Sequence, residues 1–224
     1  MTNSISLETA KILLDIKAVV LSPQKPIRFT SGILSPIYVD NRLLCSQVAE
    51  RERIIELLVQ TIREKQLQPD VLAGTSTAGI PHAAWIADAM KLPMVYVRST
   101  PKGHGMGKQI EGGLLSPTQN VLVVEDMIST AKSSAITINA VRIEGGAQCK
   151  HVIAIYTHEM LKAATTFSEL GVGLTTLTNF SDLVHYAVER GFVKQEDKDL
   201  VLEWNKNPQA WTEKMEPVAQ AAGV

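Results

Sequence analysis

The chain has 224 residues, with 22 Lys plus Arg against 23 Asp plus Glu and a formal net charge of −1. That length suits one substantial α/β domain, and the near-neutral balance offers neither the basic footprint of a nucleic-acid binder nor a polybasic membrane patch. Cys45 and Cys149 are far apart and have no metal-ligand spacing. The N-terminus lacks a basic stretch followed by an apolar one, and no apolar run is long enough to span a bilayer, so the expectation is a reduced, cytoplasmic protein.

In chain order, Ser6 is placed to cap a first helix with apolar positions at Ile12, Leu13, Ile16 and Val20. A proline loop at Pro23 and Pro26 follows, then short extended pieces over 27–44. Residues 47–66 predict an amphipathic helix with Val48, Ile55, Leu58 and Ile62 on one face. From there the chain alternates. Strands are predicted at 71–74, 94–98, 121–125, 151–157 and 173–178. Helices are predicted at 81–91, 132–144 and 161–170, and near 181–190 and 196–206. Such alternation predicts a mostly parallel sheet flanked by helices, with ligands bound beyond the carboxyl ends of the strands. The organisation expected is a single domain: a small N-terminal hood to about residue 45, a core from about 46 to 190, and a helical tail over 191–224.

Three strand ends carry chemically loaded loops. The richest follows the apolar run 121–124: Glu125 and Asp126, then Met127, Ile128 and a hydroxyl-rich turn, Ser129, Thr130, Ala131, Lys132, Ser133 and Ser134, opening a helix. A helix N-terminus there presents free amides to a phosphate, and two carboxylates are acceptors for ribose hydroxyls. Residues 74–79 are small and hydroxyl-bearing, a weaker anion-nest signal. The loop 98–113 holds Arg98, Lys102, His104 and Lys108 among five glycines, a composition that fits a mobile lid closing on a polyanion. Lys102 or His104 is suited to deliver a proton. In the hood, Phe29 or Tyr38 can stack on a planar base, with Thr30, Ser31 and Gly32 offering polar groups.

Together these segments resemble the orotate phosphoribosyltransferases, of the type I phosphoribosyltransferase fold, from about residue 10 to 190. Residues 122–133 look like that family's phosphoribosyl pyrophosphate motif. Phe29 to Gly32, Ser35 to Asp40 and Arg98 with Lys102 and His104 are the more specific matches. The resemblance implies transfer of a phosphoribosyl group from phosphoribosyl pyrophosphate to orotate, with Mg²⁺ held mainly through substrate and water rather than by a protein metal cage. It also implies a homodimer that shares loop 98–113 between subunits. By matching position it implies that Arg98, Lys102 and His104 bind pyrophosphate, Lys102 being the main catalytic loop residue. Glu125 and Asp126 would hold the ribose and stabilise charge at the anomeric carbon. The turn from Ser129 to Ser133 would cradle the 5′-phosphate, with Met127, Ile128, Thr130, Ala131 and Lys132 also among the residues that bind phosphoribosyl pyrophosphate. Ser129, Tyr38, Thr30, Ser31 and Gly32 would meet orotate.

Departures accompany the likeness. Some members carry lysine where this chain has Thr30, Ala78 and Ser99, and an arginine where it has His158. The phosphate turn usually carries glycine where this chain reads Ala131 and Lys132. A positive φ at either position costs about 1–2 kcal/mol, whereas an ordinary helix start there costs nothing. The alternatives to the orotate reading are a phosphoribosyltransferase for another base and a non-catalytic sensor of phosphoribosyl pyrophosphate.

Overall fold

The computed structural model describes residues 4–101, 108–221 and 223. The N-terminal elements are α1 (Ser4–Asp15), β1 (Val19–Leu21), β2 (Ile27–Arg28), β3 (Leu34–Ser35), β4 (Ile37–Val39) and α2 (Val48–Glu64). Then come β5 (Val71–Thr75), α3 (Gly79–Met90), β6 (Met94–Val97), β7 (Ile110–Glu111), β8 (Asn120–Ile128) and α4 (Lys132–Asn139). The chain ends with β9 (Gln148–Thr157), α5 (Leu161–Leu170), β10 (Gly173–Asn179), α6 (Phe180–Glu189), α7 (Lys198–Glu203) and α8 (Pro208–Ala221).

A six-stranded sheet in the order β10-β9-β8-β5-β6-β7 organises the molecule. Its first five strands are parallel, and β7 is antiparallel to β6. Alternation along each central strand divides the core into two apolar clusters. Leu72, Leu122, Val124, Ile153 and Ile155 face one side, with α1, α2, α3, α6 and the tail. Val71, Ala73, Val121, Val123 and Val152 face the other, under α4 and α5. The chain leaves β5 for β6 on one side and returns to β8 on the other. The carboxyl ends of β5 and β8 therefore border the crevice at which the strand order reverses.

Several local expectations change. Ser6 lies inside α1, not at its cap, because its hydroxyl is used across the fold: it donates to Asp182 Oδ2 at 2.6 Å and lies 3.0 Å from Thr178 Oγ1. The buried face of α1 runs through Ile5, Ala10, Leu13 and Leu14, and Val20 falls on β1 instead. Ile55, Leu58 and Ile62 do face the core from α2, but Val48 is exposed. β8 runs three residues beyond its expected end, and the helix after it closes with a π turn at Ala140–Glu144.

Between α1 and α2 the hood forms two small antiparallel pairs, β1 with β4 and β2 with β3. The C-terminal tail holds it in place. Trp204 Nε1 donates to the Leu34 carbonyl at 2.9 Å, and the Leu34 amide donates to Thr212 Oγ1 at 3.0 Å. Both backbone groups of one buried hood residue are thus satisfied by the tail. Arg28 pairs with Glu216 at 2.9 Å beside them.

Candidate active site

β8 stays paired with β9 to its end, Met127 opposite Tyr156 and Ile128 opposite Thr157. Glu125 and Asp126 consequently lie within the strand, and successive side chains leave a strand on opposite faces. Glu125 is 4% exposed, and its Oε1 accepts hydrogen bonds from Ser133 Oγ at 2.8 Å and Ser134 Oγ at 3.0 Å. Burial pushes its carboxyl up to about 7, against the pull of the serine hydroxyls. Asp126 is pushed up to about 6, again chiefly by burial; backbone amides and Arg42 oppose the shift, and Asp40 adds to it. Asn41 Nδ2 donates to the Asp126 carbonyl at 2.8 Å, tying the start of a 3₁₀ turn (Asn41–Cys45) to the acidic end of β8. Burial disfavours charge on either acid, so a cationic centre brought beside them gains strongly from their ionisation.

The turn after the acids is set by Ala131, which is buried with φ 61° and ψ 15°. Of the two possibilities open in the sequence, the left-handed one is taken, at Ala131, while Lys132 starts α4. The first helical bond runs from the Ala135 amide to the Ala131 carbonyl at 2.9 Å. The amides of Lys132, Ser133 and Ser134 therefore have no partner within the helix and suit an anion.

A cavity of about 460 Å³ is lined by both acids, the turn 127–134 and, from the β5–α3 loop, Ser76, Thr77 and Ala78. The glycines flanking that loop serve packing. A Cβ on Gly79 would run into the Val124 carbonyl, and one on Gly74 would press against the Ile80 Cα. A second cavity, of about 410 Å³, shares Ser129 and Thr130 with the first. Its other walls come from the hood at Phe29, Ser31 and Ile33, the start of α5, and the tail at 204–209.

The structure thus brings Glu125, Asp126, Met127, Ile128, Ser129, Thr130, Ala131, Lys132 and Ser133 around one cavity. Arg98 follows β6 with its backbone paired to Gln109 and its guanidinium 4.0 Å from Glu111; it lines neither cavity, though its neighbour Ser99 lines the first. Ser31 reaches the second cavity. Thr30 and Gly32 belong to the same hairpin turn without lining it, Gly32 having φ 85°. Tyr38 lies on β4 opposite Val20, is 40% exposed, and lines neither cavity. Lys102 and His104 lie outside the described residues. His158 is buried against Trp204, its imidazole pushed down to about 3 by burial. The tail's part in the second cavity went unread in the sequence; the only signal was its run of amides and lysine, Asn205, Lys206, Asn207 and Gln209.

A doubly covered parallel sheet, with paired acids beside an amide turn at its switch point, defines a phosphoribosyltransferase. The family described as Phosphoribosyl transferase domain matches residues 46–166. The chain is 47% identical to the orotate phosphoribosyltransferase of Coxiella burnetii, over 91% of this chain and 97% of that protein. It is 46% identical to that of Listeria monocytogenes serotype 4b, over 93% of this chain and 99% of the other. Among solved structures, the orotate phosphoribosyltransferase of Aeropyrum pernix superposes with a TM-score of 0.70 at 26% identity, covering 82% of this chain and 98% of that one. UMP synthase from Leishmania donovani shares the fold, with a TM-score of 0.74 at 22% identity, covering 89% of this chain and 42% of that one. The chain belongs to the orotate phosphoribosyltransferase family.

Proposed function

We propose that the protein transfers the 5-phosphoribosyl group from phosphoribosyl pyrophosphate to orotate, giving orotidine 5′-monophosphate and pyrophosphate. The observation that carries this reading is the adjacency of the two cavities. An acid-lined, amide-floored pocket suits a ribose 5-phosphate, and it shares Ser129 and Thr130 with a second pocket of about 410 Å³.

In this reading the 5′-phosphate sits on the amides at the start of α4, with the Ser129, Thr130 and Ser133 hydroxyls around it. Asp126 and Glu125 accept hydrogen bonds from the ribose hydroxyls. As the bond from the anomeric carbon to pyrophosphate lengthens, positive charge grows on the ring, and the two carboxylates stabilise it. The base nitrogen completes the displacement from the side of the second cavity. Arg98, Lys102 and His104 are assigned to the departing pyrophosphate from the sequence, with Lys102 or His104 supplying the proton. Ser129, Ser31, Thr30, Gly32 and Tyr38 are assigned to the base from the sequence.

Mg²⁺ fits the donors present. The Asp126 carboxylate and the hydroxyls of the first cavity form an all-oxygen set, of the kind a hard cation takes while keeping several waters. When bound with the substrate, the ion supplies charge neutralisation on the pyrophosphate. We read the active form as a homodimer whose loop 98–113 reaches the neighbouring site, with hood, core and tail as one domain. Free thiols at Cys45 and Cys149 accord with action in the reducing cytoplasm.

Base competition tests the assignment. Orotate, uracil, adenine and guanine are offered at equal concentration with phosphoribosyl pyrophosphate and Mg²⁺, and the nucleotide formed is identified. Orotidine 5′-monophosphate as the dominant product is expected; a purine nucleotide as the main product would overturn the choice of base.

A further inference from the structure

The helix that starts at the phosphate turn does not end as an ordinary α-helix. After α4 it continues as a π turn, Ala140–Glu144, closed by the Gly145 amide on the Ala140 carbonyl at 3.0 Å. Such turns are rare and occur frequently at functional sites. The last residue of this one reaches β7, the edge strand of the sheet, whose outward amides have no further strand to pair with. Glu144 Oε2 accepts the Gln109 amide at 2.8 Å, and its Oε1 accepts the Ile110 amide at 3.1 Å. One oxygen for each of two successive amides makes the carboxylate a two-point clamp. Gly145 permits the close approach: a Cβ there would lie 2.7 Å from Leu115 Cδ1 and 3.1 Å from Ile110 Cδ1.

Gln109 passes that fixation to Arg98. The Arg98 amide donates to the Gln109 carbonyl at 3.0 Å, and Gln109 Nε2 donates to the Arg98 carbonyl at 3.0 Å. Both backbone groups of Arg98 are thus held by one residue, whose own amide Glu144 holds. The next residue along the chain, Ser99, lines the first cavity. One continuous run, 131–144, therefore joins the phosphate turn at its start to the Arg98–Gln109 pair at its end. Resting on the reading that Arg98 serves the departing pyrophosphate, we infer that Glu144 is a positioning residue for the pyrophosphate end of the substrate. It touches no substrate. It sets where the chain at Arg98 stands relative to the seat of the 5′-phosphate, and without it the two amides turn to water and that link is cut.

Glu144→Ala and Glu144→Gln, each in the full chain with Mg²⁺, test this by turnover and by calorimetric binding of two probes, pyrophosphate and ribose 5-phosphate. The alanine variant is expected to bind pyrophosphate about five- to twentyfold more weakly and to lose kcat by a similar factor, as for removal of a charge-assisted contact. Its affinity for ribose 5-phosphate and its KM for orotate should move by less than about twofold, because the phosphate turn and the second cavity are unaltered. The glutamine variant keeps one acceptor oxygen and should fall between alanine and the unaltered protein. Amide exchange at Gln109 and Ile110 should quicken in the alanine variant. Unchanged pyrophosphate affinity and kcat in that variant would overturn the inference, and so would equal weakening of both probes, the mark of general damage. Weaker pyrophosphate binding by the variant, together with no orotate turnover by the unaltered protein, would overturn the choice of base and leave the clamp standing.

Discussion

Glu125→Gln should make the empty protein more stable and less active, with the stabilisation confined to alkaline pH. Glu125 is 4% exposed, and burial lifts its carboxyl from 4.5 to about 7. At about 1.4 kcal/mol for each tenfold change in acidity, ionising it in the folded protein costs about 3 kcal/mol of stability. The folded carboxyl holds its proton more tightly than the unfolded one. Its contribution is therefore fully present below about pH 4.5 and is lost as pH rises through about 7. Glutamine keeps the shape and the carbonyl that accepts from Ser133 and Ser134, but its amide N–H groups are buried, a cost of about 1–2 kcal/mol. The net expectation is a gain of about 1–2 kcal/mol at about pH 8.5, and no gain or a small loss at about pH 5, from urea unfolding at both. Turnover should fall by about tenfold or more, because a negative charge beside the developing cation is removed. A variant no more stable than the parent at about pH 8.5, or offset equally at both values, would refute the reasoning.

Ala131→Gly should change stability by less than about 1 kcal/mol. Relief of the left-handed strain, about 1–2 kcal/mol, is offset by about 0.4–1 from the freer unfolded chain and about 0.8 from the lost buried methyl. A urea-derived loss above about 2 kcal/mol would show that Ala131 is not strained. Trp204→Phe should cost about 3 kcal/mol or more, since it orphans the buried Leu34 carbonyl and trims a buried ring, and it should loosen the hood. Hydrogen exchange should then quicken at β2 and β3; unchanged exchange there would separate tail from hood. Lys102→Ala should lower kcat by about a hundredfold while the KM for phosphoribosyl pyrophosphate moves by only a few-fold, as for a group acting in the transition state. Unchanged turnover would remove Lys102 from the mechanism.

The central strands were legible because they are short apolar runs, and the helix start after β8 because hydroxyl residues follow acids at a strand end; the structure places that turn around the acid-lined cavity. The strand that carries the acids was read too short. Its last residues, Asp126 to Ile128, look like loop in isolation and are strand only because β9 continues to pair with them. Ser6 was misread as a cap because its partners, Thr178 and Asp182, lie more than 170 residues away. Local pattern is blind to such partners. The same holds for the tail. Pro217 interrupts the apolar period of α8, and nothing local reveals that Trp204 and Thr212 close the backbone of Leu34 or that the 204–209 segment walls the second cavity. Phe29 or Tyr38 was read as a base-stacking ring; Phe29 lines the second cavity, whereas Tyr38 on β4 is 40% exposed and lines neither.

The most direct measurement is turnover by the purified full chain with orotate and phosphoribosyl pyrophosphate, with Mg²⁺ and after its removal by a chelator. Orotate is followed by its ultraviolet absorbance and pyrophosphate by a coupled assay. The account predicts loss of orotate matched one to one by pyrophosphate release and abolished by the chelator. Tight binding of phosphoribosyl pyrophosphate with no loss of orotate would contradict it.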